Sequence, residues 1–244
     1  MKRIHGFLSQ KSEVNTTLLA SNAHIYGLSK IGKDTIIDSF VIVGYPIRTK
    51  TQKLASKGES RESIEKMFDE ISTGSVIGKN NHIRPYTIIY ESSILEDGVE
   101  TGTNVVIREE CSIGQGSIIG SGTVLDSGVI IGKNARIQSN NFIPPKISLG
   151  NNIFLGPGVQ FSNDKYPFSS RLIPTIVENG VVIGMGTIIL PGITIGENAI
   201  IAAGSIVTKD VPQECVIMGA PAKRIMSRDE YDQKQKDYEI SNTD

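Results

Sequence analysis

Cysteine and histidine are scarce in this chain: two and three residues respectively out of 244. Two thiols build no disulfide framework, so Cys111 and Cys215 are expected to be the reduced thiols of a cytoplasmic protein. His5, His24 and His82 fall on separate segments without the clustering that a zinc site requires, so no metal is expected. Charge of one sign is lacking too. A formal net charge of −1 gives no bulk attraction to nucleic acid or to a membrane surface. No apolar run reaches transmembrane length, and the opening Met-Lys-Arg-Ile-His-Gly leads into no signal-like apolar core.

What the chain has is a period of six. From Ile77 the series runs through Ile83, Ile89, Leu95, Thr101, Ile107, Ile113, Ile119, Leu125, Ile131, Ile137, Ile143, Leu149 and Leu155 to Phe161, and only Thr101 is not apolar. Gly or Asn follows three residues later in most units, as at Asn80, Gly98, Asn104, Gly122, Asn140 and Gly158. One residue further come small or β-branched side chains such as Ser93, Val105, Cys111 and Ala135. Six residues fit neither an amphipathic helix nor an alternating strand, so the repeat is itself the structural unit. Each unit supplies a short strand, an inward aliphatic side chain and a corner where Gly or Asn takes positive φ. Three units close a triangular turn of about 18 residues, and stacked turns bury one aliphatic column in a single elongated β-solenoid.

The lattice is already present at Leu19, Ile25, Ile31, Ile37 and Val43, and it runs again from Val177 to Val207. It is expected to rejoin at Ile71 after the first excursion. The predicted organisation is a solenoid over 1–226 with insertions at 44–70 and 162–176, then a helical tail over 227–244. In the first insertion Ile64, Met67, Phe68 and Ile71 have helical spacing, which places a short amphipathic helix on the flank. Arg48, Lys50, Lys53 and Lys57 precede it as a basic loop, read either as a diphosphate holder or as a solvated loop beside a subunit neighbour. The 18-residue turn predicts that Asn163 stacks over Pro145, Ser127, Glu109 and Glu91 at one corner. Ser227 with Glu230 has the pattern of a capping box, so the tail is read as a helix covering the open end of the coil.

Residues Leu149–Arg224 carry a more specific signal. The runs LGNNIFLGPGVQFSNDKYP, VVIGMGTIILPGITIGENAIIAAGSIVTKDVP and MGAPAKRI resemble the hexapeptide-repeat acyltransferases that use acyl-CoA. That resemblance implies a left-handed parallel β-helix, acetyl-CoA as co-substrate and a homotrimer with active sites between neighbouring prisms. The Asn163–Pro167 loop is similar to N-acetyltransferases acting on UDP- or dTDP-linked amino sugars. A CoA groove is then expected at Ala202, Ala203 and Gly204, where side chains are small. Thr208, Lys209, Lys223 and Arg224 would supply charge and hydrogen bonds to its phosphates.

Relatives that acylate sugar hydroxyls carry a histidine in the loop matching Asn163–Pro167, and related sequences place another near Thr103; this chain has neither. A hydroxyl acceptor needs a general base, worth roughly 10²–10⁴ in rate. An amine of pKa about 8 is already partly neutral near physiological pH. The missing histidines therefore favour an amine acceptor. Asn163 and Asp164 are the expected positioning residues, with Asp164, Glu109 or the departing sulfur taking the proton. Asn141 sets an amide among small inward residues, for either an oxyanion contact or a structural ladder. O-acetylation, or transfer of another acyl group, is the alternative within enzymes, and a non-catalytic scaffold is the alternative outside them.

Overall fold

The structure is a computed structural model that describes residues 6–56, 63–166, 168 and 171–241; His5, Lys57 and Pro167, named above, lie outside the described residues. The six-residue units form short strands joined by corners, and strands one coil apart pair in parallel, Ile94 with Ser112 and Ile130 with Ser148. Among the described residues the result is a β-solenoid of about 11 turns with three faces of ten, nine and ten strands. Face one runs from Phe7–Leu8 to Ile206–Val207, face two from Glu13–Val14 to Thr194–Ile195, and face three from Ile36–Ile37 to a closing hairpin.

The periodic side chains from Ile77 to Phe161 form the core, none more than 4% exposed. Thr101 is buried with them because its hydroxyl is satisfied there: it accepts from the Arg84 amide at 3.0 Å and meets Thr87 Oγ1 at 3.3 Å. Corners are as tight as the small residues imply. A Cβ added at Gly184 would lie 2.4 Å from the Ala203 nitrogen on the next coil.

Two insertions interrupt the lattice. Lys30 pairs with Val76, and Gln160 with Ile188, where an uninterrupted coil advances as Ile94 does to Ser112. Both insertions leave at the corner between face one and face two, called here the first corner. Four uninterrupted corners, at Glu91, Glu109, Ser127 and Pro145, lie between them. With coils about 4.8 Å apart, that wall is about 24 Å long.

The first insertion holds two helices, α1 (Arg48–Ala55) and α2 (Ile64–Ile71). The spacing of Ile64, Met67, Phe68 and Ile71 foresees α2, whose Phe68 packs edge-on against Tyr45 and Tyr26 at 5.4 and 6.1 Å. The expected basic loop is a helix instead. Its sequence offers no apolar stripe, only Leu54 and Ala55 being apolar, and α1 is held by Lys50. Coil pairing resumes at Ser75, whose carbonyl accepts from Lys30, because Ile71 closes α2.

At the C-terminal end a hairpin precedes the tail. Strand Cys215–Gly219 joins face three in parallel, and Ala222–Ser227 folds back on it antiparallel. Helix α3 (Arg228–Ser241) follows, opened by the predicted capping box: Ser227 N–H donates to Glu230 at 2.7 Å and the Glu230 amide donates to Ser227 Oγ at 3.2 Å. Arg228 ties α3 to the coil through the Asn198 carbonyl at 3.0 Å.

Candidate functional site

The second insertion starts at the first corner and returns over the coil above it. The Ile173 amide donates to the Asn163 carbonyl at 3.3 Å, closing the loop on itself. Ile173 then rests on Gly192, where an added Cβ would meet its Cγ2 at 2.5 Å and where φ is +72°. Only glycine gives both the space and the backbone conformation at that point. Within the loop, Asp164 Oδ1 accepts from the Tyr166 amide at 3.1 Å, an Asx turn that fixes the carboxylate beside Asn163.

Coil pairing sets the neighbours of this loop. Ser162 donates to Ile189 and Leu190 to Val207, which puts Lys209 two coils beyond Asn163 at the same corner, about 10 Å along the axis. Thr208 and Lys209 are exposed, and the turn that carries them is pinned by Asp210, whose carboxylate accepts from the Thr194 amide at 2.8 Å. Nothing in the sequence pattern singles out Asp210 for that task.

In the other direction the stack at Asn163, Pro145, Ser127, Glu109 and Glu91 has the foreseen register. Glu109 lies three coils from Asn163, about 14 Å away. Its carboxylate is gripped by Arg108, Nε to Oε2 at 2.9 Å and Nη2 to Oε1 at 3.0 Å. Arg108 is also 3.6 Å from Asp126 and lies 5.0 Å over the Tyr90 ring. The hydrogen bond that Arg108 donates to Glu109 raises the Arg108 pKa against the opposing effect of burial. Glu109 and Asp164 are therefore not brought to one point within a chain.

Glu91 is the member of the stack whose importance the sequence hides. Its buried carboxylate accepts from Lys50 Nζ at 2.7 Å, the Ile47 amide at 3.0 Å, and the Thr73 amide and hydroxyl at 2.7 and 2.8 Å. Burial opposes its ionisation, but Lys50, Ile47 and Thr73 outweigh burial and hold its pKa below the usual carboxylate value.

The remaining candidates gather at the corner between face three and face one, the third corner. Ala202 donates to the Ile217 carbonyl at 2.9 Å, and Ile217 is opposite Arg224 in the closing hairpin, with Lys223 opposite Met218. Ala202 and Ala203 line a groove of about 330 Å3 with Gly184, Ile225, Met226 and Tyr231. Gly204 takes φ +68°, and nothing would obstruct a Cβ there. One chain thus groups Asn163, Asp164 and Lys209 at the first corner and Ala202, Ala203, Gly204, Lys223 and Arg224 at the third.

Asn141 is buried inside the coil with both ends of its amide engaged: Oδ1 accepts from Val159 at 2.7 Å and Nδ2 donates to the Gln138 carbonyl at 2.6 Å. The ladder is what the geometry shows for it. Burial pushes the Cys111 thiol up to about 12, which makes it inert as a nucleophile. His82 is 2.9 Å from Asp38 on face three, away from the first corner. Among the described residues no group of three or more His, Cys, Asp or Glu is placed to hold a metal ion, and no helix is long and apolar enough to cross a membrane.

Comparison with known proteins bears on the repeats directly. The family described as Bacterial transferase hexapeptide (six repeats) matches residues 92–127, 110–145 and 174–209. Galactoside O-acetyltransferase of Escherichia coli is 35% identical over 107 residues, covering 40% of this chain and 53% of that protein. A 2,3,4,5-tetrahydropyridine-2,6-dicarboxylate N-acetyltransferase of Staphylococcus aureus is 40% identical over 88 residues, covering 36% of each. The chain spans about half or less of the length of these curated relatives. A solved structure of AntD, an N-acyltransferase from Bacillus cereus in complex with dTDP and coenzyme A, aligns with a TM-score of 0.43 and 20% identity over 68% of this chain and 90% of that one. The matched stretches coincide with coils that the backbone pairing defines, and in those stretches the repeats match the bacterial transferase hexapeptide family.

Proposed function

We propose that this protein is an acyltransferase that moves the acetyl group of acetyl-CoA to the amino group of a nucleotide-linked amino sugar. The observation that carries the reading is the second insertion, folded over Gly192 toward the corner of Lys209, offering an amide and a carboxylate but no histidine. The neutral amine attacks the thioester carbonyl, the new C–N bond forms as the C–S bond breaks, and CoA leaves. Asn163 orients the amine, whose surplus proton passes to Asp164 while CoA departs as the thiolate. Glu109, paired with Arg108 and three coils from Asn163, is the second candidate for that proton.

The CoA would lie along the third corner, with its pantetheine amides against the backbone at Ala202, Ala203 and Gly204. Lys223 and Arg224 of that chain, with Thr208 and Lys209 at the first corner of its neighbour, supply its phosphate contacts. Because Asn163 and Arg224 lie at different corners of one chain, a complete site takes its two halves from neighbouring copies, in an assembly read here as a homotrimer. The setting is a cytoplasm, where acetyl-CoA and nucleotide sugars are made.

The match to a galactoside O-acetyltransferase favours a second reading, acetylation of a hydroxyl. Release of CoA thiol from acetyl-CoA, assayed on UDP- and dTDP-linked amino sugars and their hydroxyl counterparts, separates the two. Amine-only turnover is expected. Hydroxyl turnover establishes the second reading, and a protein without CoA affinity by calorimetry is a scaffold.

A further inference from the structure

The third corner contains a feature that the acyl-transfer reading leaves unused. Its left-handed backbone position is filled on successive coils by Asn104, Gly122, Asn140, Gly158, Gly186 and Gly204, with φ from 57° to 69°. The two coils before these place Phe40 (φ 60°) and Tyr86 (φ 63°) there. A bulky side chain in that conformation is strained, and such strain concentrates where a site needs a particular group. Core packing does not explain it. The rings are 37% and 56% exposed, and they stack on each other with centroids 5.2 Å apart and planes 6° from parallel. Phe40 backs Tyr86 on one side, while the coil on the other side contributes only Asn104.

Arg84 stands two residues before Tyr86. Its guanidinium reaches Glu100 at 3.5 Å, with both side chains nearly half exposed. So open a pair adds little stability, and an incoming phosphate competes well for the arginine.

We propose that Tyr86, backed by Phe40, is the platform on which the base of the acceptor's nucleotide stacks, with Arg84 taking the diphosphate; this rests on the acyl-transfer reading. Base stacking on an exposed aromatic face tolerates any base and needs no enclosing pocket. The adenine of CoA has the same chemistry but belongs elsewhere. Lys223 and Arg224, assigned to the CoA phosphates, stand beside the corner of Gly204, six coils and about 29 Å along it from Tyr86.

Calorimetry with UDP, dTDP and CoA on the wild type, Tyr86→Asn and Arg84→Gln tests this. Asn already holds this backbone position at Asn104 and Asn140, so Tyr86→Asn keeps the corner and is expected to melt no lower than wild type. The Kd for UDP or dTDP is expected to rise about tenfold in Tyr86→Asn while that for CoA stays unchanged. In Arg84→Gln affinity for the nucleoside diphosphate falls and affinity for the nucleoside does not. Unchanged UDP and dTDP binding in Tyr86→Asn overturns the proposal, as does a wild type that binds neither. Weakened CoA binding alone assigns the platform to adenine and overturns it equally. The acyl-transfer reading fails separately, if a wild type that binds UDP or dTDP releases no CoA thiol with any acceptor.

Discussion

Lys50 of α1 and Glu91 of the first corner meet across 41 residues of sequence, Nζ to Oε2 at 2.7 Å. This contact fastens the first insertion to the solenoid. The carboxylate also gathers the Ile47 and Thr73 amides, so one side chain holds both ends of the helical pair. Replacing it strands several donors at once. Glu91→Ala is expected to cost about 3 kcal/mol, the low end for a broken buried pair because Lys50 is partly exposed. Hydrogen exchange should show faster opening across α1 and α2, with the coil amides from Ile94 onward unchanged.

The same pair gives the insertion a pH dependence of definite sign. Burial disfavours the charged Glu91, yet the hydrogen bonds from Lys50, Ile47 and Thr73 leave its folded pKa below 4.5. A carboxyl depressed in the folded state contributes stability that is complete above its unfolded value and is lost as pH falls through its folded value. Protection of α1 and α2 should therefore be level above about pH 5 and decline below about pH 4.5. Glu91→Gln, compared over the same range, should remove that decline.

Asn141 offers a separation of structure from chemistry. Its amide is used by Val159 and Gln138 within the coil, so Asn141→Ala leaves a buried N–H unpaired. A loss of about 1–3 kcal/mol is expected in urea unfolding. Turnover by the folded fraction should remain within a few fold of wild type. A collapse of kcat with unchanged stability would instead return Asn141 to the reaction as an oxyanion donor.

Mixing variants tests whether sites are shared between copies. Asn163→Ala and Arg224→Ala alter different corners, so each homogeneous protein is expected to be nearly inactive. In the proposed homotrimer, co-expression in equal amounts gives mixed assemblies in which some neighbouring pairs carry both wild-type residues. Activity should recover to about a quarter of wild type for random assembly with cyclic symmetry. No recovery would mean that each chain builds its site alone.

The solenoid was legible because its forces repeat. Every coil makes the same backbone pairing and buries the same inward side chain, so the period of six is written fifteen times between Ile77 and Phe161. The stack of Asn163 over Pro145 and Glu109 follows from that period by counting. α1 was not legible, since Arg48–Ala55 has no apolar stripe and depends on a partner 41 residues away. Glu91 looked like any corner residue because its four donors come from the insertion and not from the lattice. Asp210 was hidden in the same way, its role set by the Thr194 amide of a neighbouring coil. Phe40 and Tyr86 occupy repeat positions where the pattern expects Gly or Asn, a departure visible in the sequence whose stacking appears only in three dimensions.

The central claim is that acyl transfer to an amine takes place beside Asn163 and Asp164, with CoA held by other residues. Steady-state turnover of an amino-sugar nucleotide, measured alongside the Kd for CoA in Asp164→Ala and Glu109→Ala, tests it most directly. Asp164→Ala is expected to lower kcat about a hundredfold with CoA affinity intact, while Glu109→Ala acts more weakly. Near-normal kcat in both variants would contradict it, leaving the departing sulfur or solvent to take the proton.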